Sequence, residues 1–430
     1  MSLFNLLWSY FKTKRLKFKT RQALEAYQLK QWKKFKNKVL IKSSYFKRFI
    51  DLPLEQWPLM DKQIMMTFFD DMNTAQLKCK QLIACAIESE SSKDFSPKVG
   101  KFSVGLSSGT SGQRGVFVVS PKEQSIWAGG MLAKMLPRGL MAKERVALFL
   151  RSDNNLYQSV NNRWLTLKYF GLFENFQLLL SSLIEFKPTI IVAPAQVLTT
   201  IAHEKLAKNL PINPYQVISV AEVLEPQDKQ VLKKAFERIG EVYQATEGFL
   251  GASCPNGVLH LNEEFLLVEQ EWLDEERFIP IITDFTRQTQ PIIRYRLNDV
   301  LVKRKEPCSC GRQGMAISHI EGRQDDQIIL NDGQGKPITI FADYCSRIIA
   351  NTLPLTCDYR LIQRSSTVFE LIGCCESLYL EKLKNQLMKH FEQQGANTEH
   401  LSWNINAVNK LPDEFNQFLL KRRRILRQRH

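Results

Sequence analysis

The stretch SVGLSSGTSGQRG, residues 103–115, runs directly into the apolar VFVVS of 116–120. Small residues let a backbone come close to a ligand. Successive N–H groups and hydroxyls in such a loop form a pocket for anions, phosphate above all. Arg114 adds a permanent positive charge beside it. No Gly-Lys-Ser/Thr follows the glycines, so the pattern is not a Walker loop. Read by itself, the stretch fits a flexible Gly/Ser surface loop equally well. The residues downstream tip the balance toward phosphate.

After residue 120, helical and extended signals alternate. RVALFLR (145–151), TIIVAPA (189–195) and QVISVAEVL (216–224) are short, β-branched and apolar, as buried strands are. FENFQLLLSSLIEF lies between them and reads as a helix. DKQVLKKAFERIG (228–240) reads as a helix closed by a glycine C-cap, with EVYQATE following as a strand. This alternation predicts an α/β fold in which helices flank a mostly parallel sheet. Ligands of such sheets sit at the carboxyl ends of the strands. Residues 258–305 predict an antiparallel subdomain, and from about 327 the pattern shifts to short strands and helices. A boundary near GRQDD (322–326) gives a large domain, 1–325, and a small α+β C-terminal lid, 326–430. The large domain opens with a helical segment, 1–75. In 1–50, Leu, Phe, Trp and Tyr recur at helical spacing between basic residues, and the pattern runs through RQALEAYQLKQWKKF without a break.

The chain is long enough, at 430 residues, for two or more domains. Its net charge is +15, but residues 1–50 hold 14 Lys/Arg against the single acid Glu25, and residues 421–430 add six more positive charges. The body between is net −4, so the basicity belongs to the two ends. No nucleic-acid motif accompanies them, and no nucleic-acid partner is expected. The basic N-terminus reads first as a helical layer packed on the body, and second as a weak peripheral contact with anionic lipid. No apolar run is long enough to span a membrane, and no signal peptide is expected. Nine unevenly spread cysteines point to a reducing, cytoplasmic setting and not to a disulfide scaffold.

Four features occur in order: the Ser/Gly loop, YQATEG (243–248), RYRLND (294–299) and GRQDD (322–326). Each is weak singly. Their order and spacing resemble the adenylate-forming superfamily of acyl-CoA synthetases, peptide-synthetase adenylation domains and luciferases. Over nearly the whole chain the likeness is to the branch of phenylacetate–CoA ligase and the deazaflavin-coenzyme synthetases. TDFTRQTQPIIRYRLND (283–299) and CSCGR…IEGRQDDQII (308–329) carry it, with LEAYQLKQWKKF and PLMDKQ near the N-terminus.

The resemblance implies roles for individual residues. Ser107, Ser108, Gly109, Thr110, Ser111 and Gly112 match the phosphate loop, with Arg114 where a Lys is usual and Gln113 in place of a Pro. Tyr243 matches the aromatic that stacks on adenine, and Ala221 and Glu222 the lining of the adenine pocket. Thr246 matches a hydroxyl near the α-phosphate, and Glu247 the ligand of Mg²⁺, an ion that prefers hard oxygen donors. Asp299 matches the carboxylate that accepts the ribose hydroxyls. Arg323 matches a ribose or phosphate contact, and Asp325 the hinge of the lid. The catalytic Lys matches least well, because the tail KLPDEFNQFLLKRRRI lacks the family's Gly-Lys. Lys421 fits best and Lys410 second. SDNNLY (152–157) and NNRW (161–164) are candidates for the acid pocket, or are surface turns.

The implied reaction is ATP-dependent adenylation of an aryl or acyl carboxylic acid, followed by transfer to the thiol of CoA or a carrier protein. Two alternatives stand beside it. One is adenylyl transfer to a hydroxyl or carboxylate with no thiol step. The other is a nucleotide-binding or membrane-associated scaffold without catalysis.

Cys254 and His260 form C-x5-H after YQATEG, and Cys308 and Cys310 form C-x-C. Two such pairs on adjacent antiparallel segments fit a structural Cys₃His zinc site, and some members of the branch look alike at all four positions. The other reading is buried thiols and a satisfied histidine without metal.

Overall fold

The computed structural model describes residues 2–92, 97–106, 115–136, 138–150, 165–172, 176–323, 327–340, 342–354, 357–409, 411 and 424–428. Two helices open the chain, α1 (Leu3–Arg15) and α2 (Arg21–Lys38). They are not one continuous helical run. Leu16 turns extended, and the Thr20 hydroxyl accepts from the Ala23 N–H to start α2 afresh. Short helices α3 (Lys62–Thr67), α4 (Phe69–Met72) and α5 (Cys79–Ser92) follow. Next comes a small antiparallel sheet of β1 (Lys98–Val99), β2 (Phe102–Leu106) and β3 (Val116–Val119). Helix α6 (Pro121–Met135) begins with a capping box of Ser120 and Glu123 and Pro121 in its first turn.

The α/β body comprises β4 (Glu144–Leu150), β5 (Leu165–Gly171), α7 (Phe176–Phe186), β6 (Ile190–Ala193), α8 (Ala195–Leu206), β7 (Gln216–Ser219), α9 (Pro226–Ala235) and β8 (Ile239–Ala245). These five strands are parallel, in the order β5-β4-β6-β7-β8. This is a doubly wound arrangement whose strand order reverses at β4. Side chains alternate across it. Ala147, Phe149, Ile191, Ala193 and Val217 face a core built with α7, α8 and α9. Val146, Leu148, Ile190, Val192 and Ile218 face the core that α1 and α6 close.

Several boundaries differ from those read in the sequence, and the strand read over 189–195 ends at Ala193, with α8 starting at Ala195. The third strand ends at Ser219, not 224, and Ala221 beyond it has a positive φ of 66°. Helix α9 ends at Ala235 with Phe236 extended, so Gly240 is not a C-cap. Gly240 lies within β8, where a Cβ would come within 2.8 Å of the Gln216 side chain.

At β8 the sheet changes direction. It pairs parallel with β7 and antiparallel with β9 (Gly248–Ser253). Strands β10 (Leu259–Leu261), β11 (Leu266–Trp272), β12 (Arg277–Asp284), β13 (Ile292–Arg296), β14 (Asp299–Lys303) and β15 (Ala316–Arg323) extend it to a twelve-stranded mixed sheet. The antiparallel half packs on the N-terminal aromatics. Trp32, Phe35, Phe46, Trp57 and Met60 share one core with Phe278, Ile282, Tyr295 and Leu301. Arg294 pins the two together, bonding Glu269 and the carbonyls of Glu55 and Trp57.

The C-terminal elements are β16 (Ile328–Asn331), β17 (Pro337–Ile340), α10 (Ala342–Thr352), β18 (Tyr359–Gln363), β19 (Val368–Gly373), α11 (Ser377–Gln393), β20 (Ser402–Ala407) and β21 (Ile425–Arg427). Their core is built from residues between Ile328 and Ile425. Arg424 leaves that unit to bond Glu225 and Asp228 of the body.

Candidate functional site

The carboxyl ends of β6, β7 and β8 lie side by side, and of the predicted site residues Ala221, Glu222, Tyr243, Thr246, Glu247 and Asp299 are described near them. Beyond β7, the Glu222 carboxylate accepts from the Gln196 N–H at the start of α8, at 3.2 Å. The positive φ of its neighbour Ala221 is uncommon for a residue with a Cβ. Tyr243 is on β8, and its hydroxyl donates to Asp299 Oδ2 at 2.6 Å. Asp299 opens β14, and strand register sets it opposite the backbone of Arg323 on β15. At the end of β8, Thr246 Oγ1 donates to Glu247 Oε2 at 2.9 Å.

Other residues hold this corner, and the sequence did not single them out. Tyr295 on β13 bonds Glu247. Burial first, and that carboxylate second, push its phenol far above the ordinary range. Arg287 donates to the Thr246 carbonyl at 2.7 Å and to Gln290 Oε1 at 3.2 Å. Gln290 Oε1 also accepts from the Val118 N–H, and its Nε2 donates to the Val116 carbonyl. Glu123 accepts from the N–H groups of Gln288 and Thr289. The 284–290 turn is thereby tied to β3, the outgoing stem of the Ser/Gly loop. Lys62, Gly115, Thr246, Glu247, Arg287 and Tyr295 line one cleft. Lys62 reaches it because Met60 forms a bridge with Tyr295 on β13. The only signal for Lys62, Arg287, Gln290 and Tyr295 was their place within PLMDKQ and TDFTRQTQPIIRYR, where periodicity assigns no role.

The loop residues Ser107, Ser108, Gly109, Thr110, Ser111, Gly112 and Arg114 lie outside the described residues. So do Asp325, Lys410, Lys421, and the 152–157 and 161–164 stretches. Arg323 is described as backbone alone.

The four proposed metal ligands converge. The Sγ atoms of Cys254, Cys308 and Cys310 and a ring nitrogen of His260 all lie within 4.8 Å of one another. Cys254 Sγ is 3.7 Å from Cys308 Sγ, and Cys310 Sγ is 3.4 Å from His260 Nε2. A tetrahedron with ~2.3 Å metal–sulfur bonds has edges of about 3.7 Å. His260 Nδ1 lies 2.8 Å from the Gly314 carbonyl, to which it donates, leaving Nε2 as the lone-pair nitrogen. Burial first, and then the Arg312 charge, hold this imidazole's pKa below the ordinary value, which favours the neutral ligating form. The site fits zinc in donor type and spacing.

No family model matches the chain. A phenylacetate-coenzyme A ligase of Thermus thermophilus is 25% identical over 165 residues, which is 34% of this chain and only 36% of the relative's length. Among solved structures, 2-hydroxyisobutyryl-CoA ligase in the postadenylation state with 2-HIB-AMP superposes with a TM-score of 0.63. It is 13% identical, over 95% of this chain and 89% of that one. An amide bond synthetase from Marinactinospora thermotolerans gives 0.52 at 12% identity, over 72% of this chain and 66% of that one. At these identities the likeness is one of fold, which this chain shares with both structures.

Proposed function

We propose that the protein is an acid–thiol ligase that adenylates a carboxylic acid with ATP and passes the acyl group to a thiol, CoA being the favoured acceptor. The observation that carries this reading is the corner at the end of β8. There the Thr246–Glu247 pair meets the stem of a Ser/Gly loop across one cleft, and Tyr243, three residues earlier on β8, bonds Asp299. In this reading Asp299 accepts the ribose hydroxyls and Tyr243 stacks on adenine, beside Ala221 and Glu222. Arg323 contacts ribose or phosphate. The loop, with Arg114, holds the phosphates.

The substrate carboxylate attacks the α-phosphorus, pyrophosphate leaves, and a mixed anhydride with AMP forms. Thr246, Lys62 and Lys421 offset the charge that grows on the phosphoryl oxygens. Glu247 is a hard oxygen donor suited to Mg²⁺, which when bound adds charge neutralisation at the phosphates. Residues 326–430 form the lid and Asp325 its hinge, so that rotation admits the thiol after adenylation. Cys254, His260, Cys308 and Cys310 hold a structural zinc that ties the turn after β9 to the loop after β14. We place the protein in the cytoplasm, a setting supported by nine free cysteines. No helix among the described residues is long and apolar enough to cross a membrane. The match to phenylacetate-coenzyme A ligase favours an aryl acid within the acyl and aryl classes.

The test begins with nucleotide, because it needs no knowledge of the acid. Mg·ATP and AMP should raise the melting temperature of the wild type by mass action. Asp299→Ala and Asp299→Asn should abolish the shift while melting cooperatively. Acids are then screened by hydroxamate trapping, and the acceptor by CoA-dependent release of AMP. A folded wild type that no nucleotide stabilises refutes the reading.

A further inference from the structure

We propose that α1 docks the protein onto an anionic lipid surface. The helix packs on the body with a mixed face, two apolar side chains and two hydroxyls. Ser9 and Thr13 are buried there beside Leu6 and Tyr10. Ser9 Oγ donates to the Ile126 carbonyl of α6, and Gly129 of α6 lets the two backbones approach, since a Cβ there would lie 2.3 Å from the Leu6 carbonyl oxygen. A second set of apolar side chains is turned outward. Leu3, Phe4, Trp8 and Phe11 are 61, 76, 52 and 50% exposed. Phe4, Trp8 and Phe11 follow the i, i+4, i+7 spacing of one helical stripe. With Leu7 and Leu16 they form one apolar surface on α1, edged by Lys12 and Arg15. A contiguous aromatic patch of this kind marks an interaction surface.

Charge selects the occupant. The first 50 residues carry 14 Lys/Arg and one acid, and that acid, Glu25, is already paired with Arg21. Lys12 lies over the Trp8 ring at 5.0 Å, and Lys14, Arg15, Lys17 and Lys19 follow on exposed positions. Two copies of so basic a face repel each other, which disfavours self-association through it. An acidic bilayer suits both components. Phe, Trp and Leu enter the headgroup boundary while the Lys and Arg side chains meet lipid phosphates. Trp8 is a side chain that favours this boundary.

The test is flotation of the full-length protein with vesicles of phosphatidylcholine alone or with about 30 mol% phosphatidylglycerol. The wild type should float with the anionic vesicles at least about tenfold better than with neutral ones, and lose binding as salt rises. Trp8→Glu/Phe11→Glu should abolish flotation, and Lys17→Glu/Lys19→Glu should weaken it, both with unchanged melting temperature. These side chains are exposed, so folding does not depend on them. Absence of flotation with either vesicle, or flotation that survives the double aromatic substitution, overturns the proposal. So does a wild type that is a dimer in solution and becomes a monomer with Trp8→Glu/Phe11→Glu, which assigns the stripe to a second copy.

Discussion

Asp284 is buried at the end of β12, where its Oδ1 accepts from the N–H and hydroxyl of Thr286. Its Oδ2 lies 2.6 Å from where a Cβ on Gly248 would stand, so a side chain at 248 would displace this carboxylate. Burial pushes this carboxyl up to about 6, against the opposing pull of the Thr286 hydrogen bonds. The folded protein therefore holds a proton between about pH 4 and 6 that the unfolded chain has released. Stability falls as pH rises through that window, and the loss is complete above it. Asp284→Asn keeps the Oδ1 acceptor and removes the titration. Relative to wild type it should gain about 2–3 kcal/mol between pH 4 and pH 7, read by urea denaturation at both values. An equal pH dependence in the two proteins would refute a raised carboxyl. At this scale the sequence was partly legible. Tyr243, Thr246, Glu247 and Asp299 were singled out through family resemblance, but the Tyr243–Asp299 bond joins residues 56 apart, and no local pattern encodes it. Arg287, Gln290 and Lys62 went unread because their roles depend on what faces them.

The loop between β14 and β15 has little apolar content of its own, and the zinc proposed at the Cys₃His cluster would order it. Glu263 adds a second anchor. Its carboxylate accepts from both terminal guanidinium nitrogens of Arg21 at 2.7 and 2.8 Å and from the Met315 N–H at 2.6 Å. Met315 adjoins Gly314, whose carbonyl orients His260. The purified protein should carry one zinc per chain by metal analysis. Chelation should lower its melting temperature, and Cys308→Ser should reduce zinc affinity by ~100-fold or more. A metal-free protein with undiminished stability would leave four clustered side chains and no site. The element scale also shows where periodicity succeeds and fails. Helices and strands of the α/β body were legible from β-branched runs and helical spacing. Their ends were not, because Gly240 is as good a cap as a strand residue until Gln216 is seen beside it. Continuity through 16–20 was misread for a similar reason, since a single Thr cap outweighs the apolar rhythm on either side.

Across the whole molecule, the C-terminal unit meets the body through Arg424. The residue is buried, and its guanidinium bonds Asp228 at 3.2 Å and Glu225 at 3.1 Å on one side and Asp358 at 3.3 Å on the other. Tyr359 Oη donates to the same Glu225, and Gln227 donates to the carbonyls of Pro354 and Cys357. Breaking a buried ion pair on one side leaves its partner uncompensated. Arg424→Ala should cost about 3–5 kcal/mol in urea denaturation. Rotation of the lid, as proposed, has to break the same bonds, so the variant should also shift the balance between adenylation and thiol transfer in single-turnover assays. A variant as stable as wild type would remove Arg424 as the link.

The N-terminal aromatics that pack on the antiparallel half impose an order on synthesis. Trp32, Phe46 and Trp57 leave the ribosome roughly 220 or more residues before Phe278 and Leu301, which cover them. At ~5–20 residues per second that is a wait of about 10–40 s with an aromatic face exposed. Stalled nascent chains ending near residue 250 should be cut by protease within 32–72. Chains extended far enough to free β15 from the ribosome should resist, and chaperone occupancy should be concentrated in that interval.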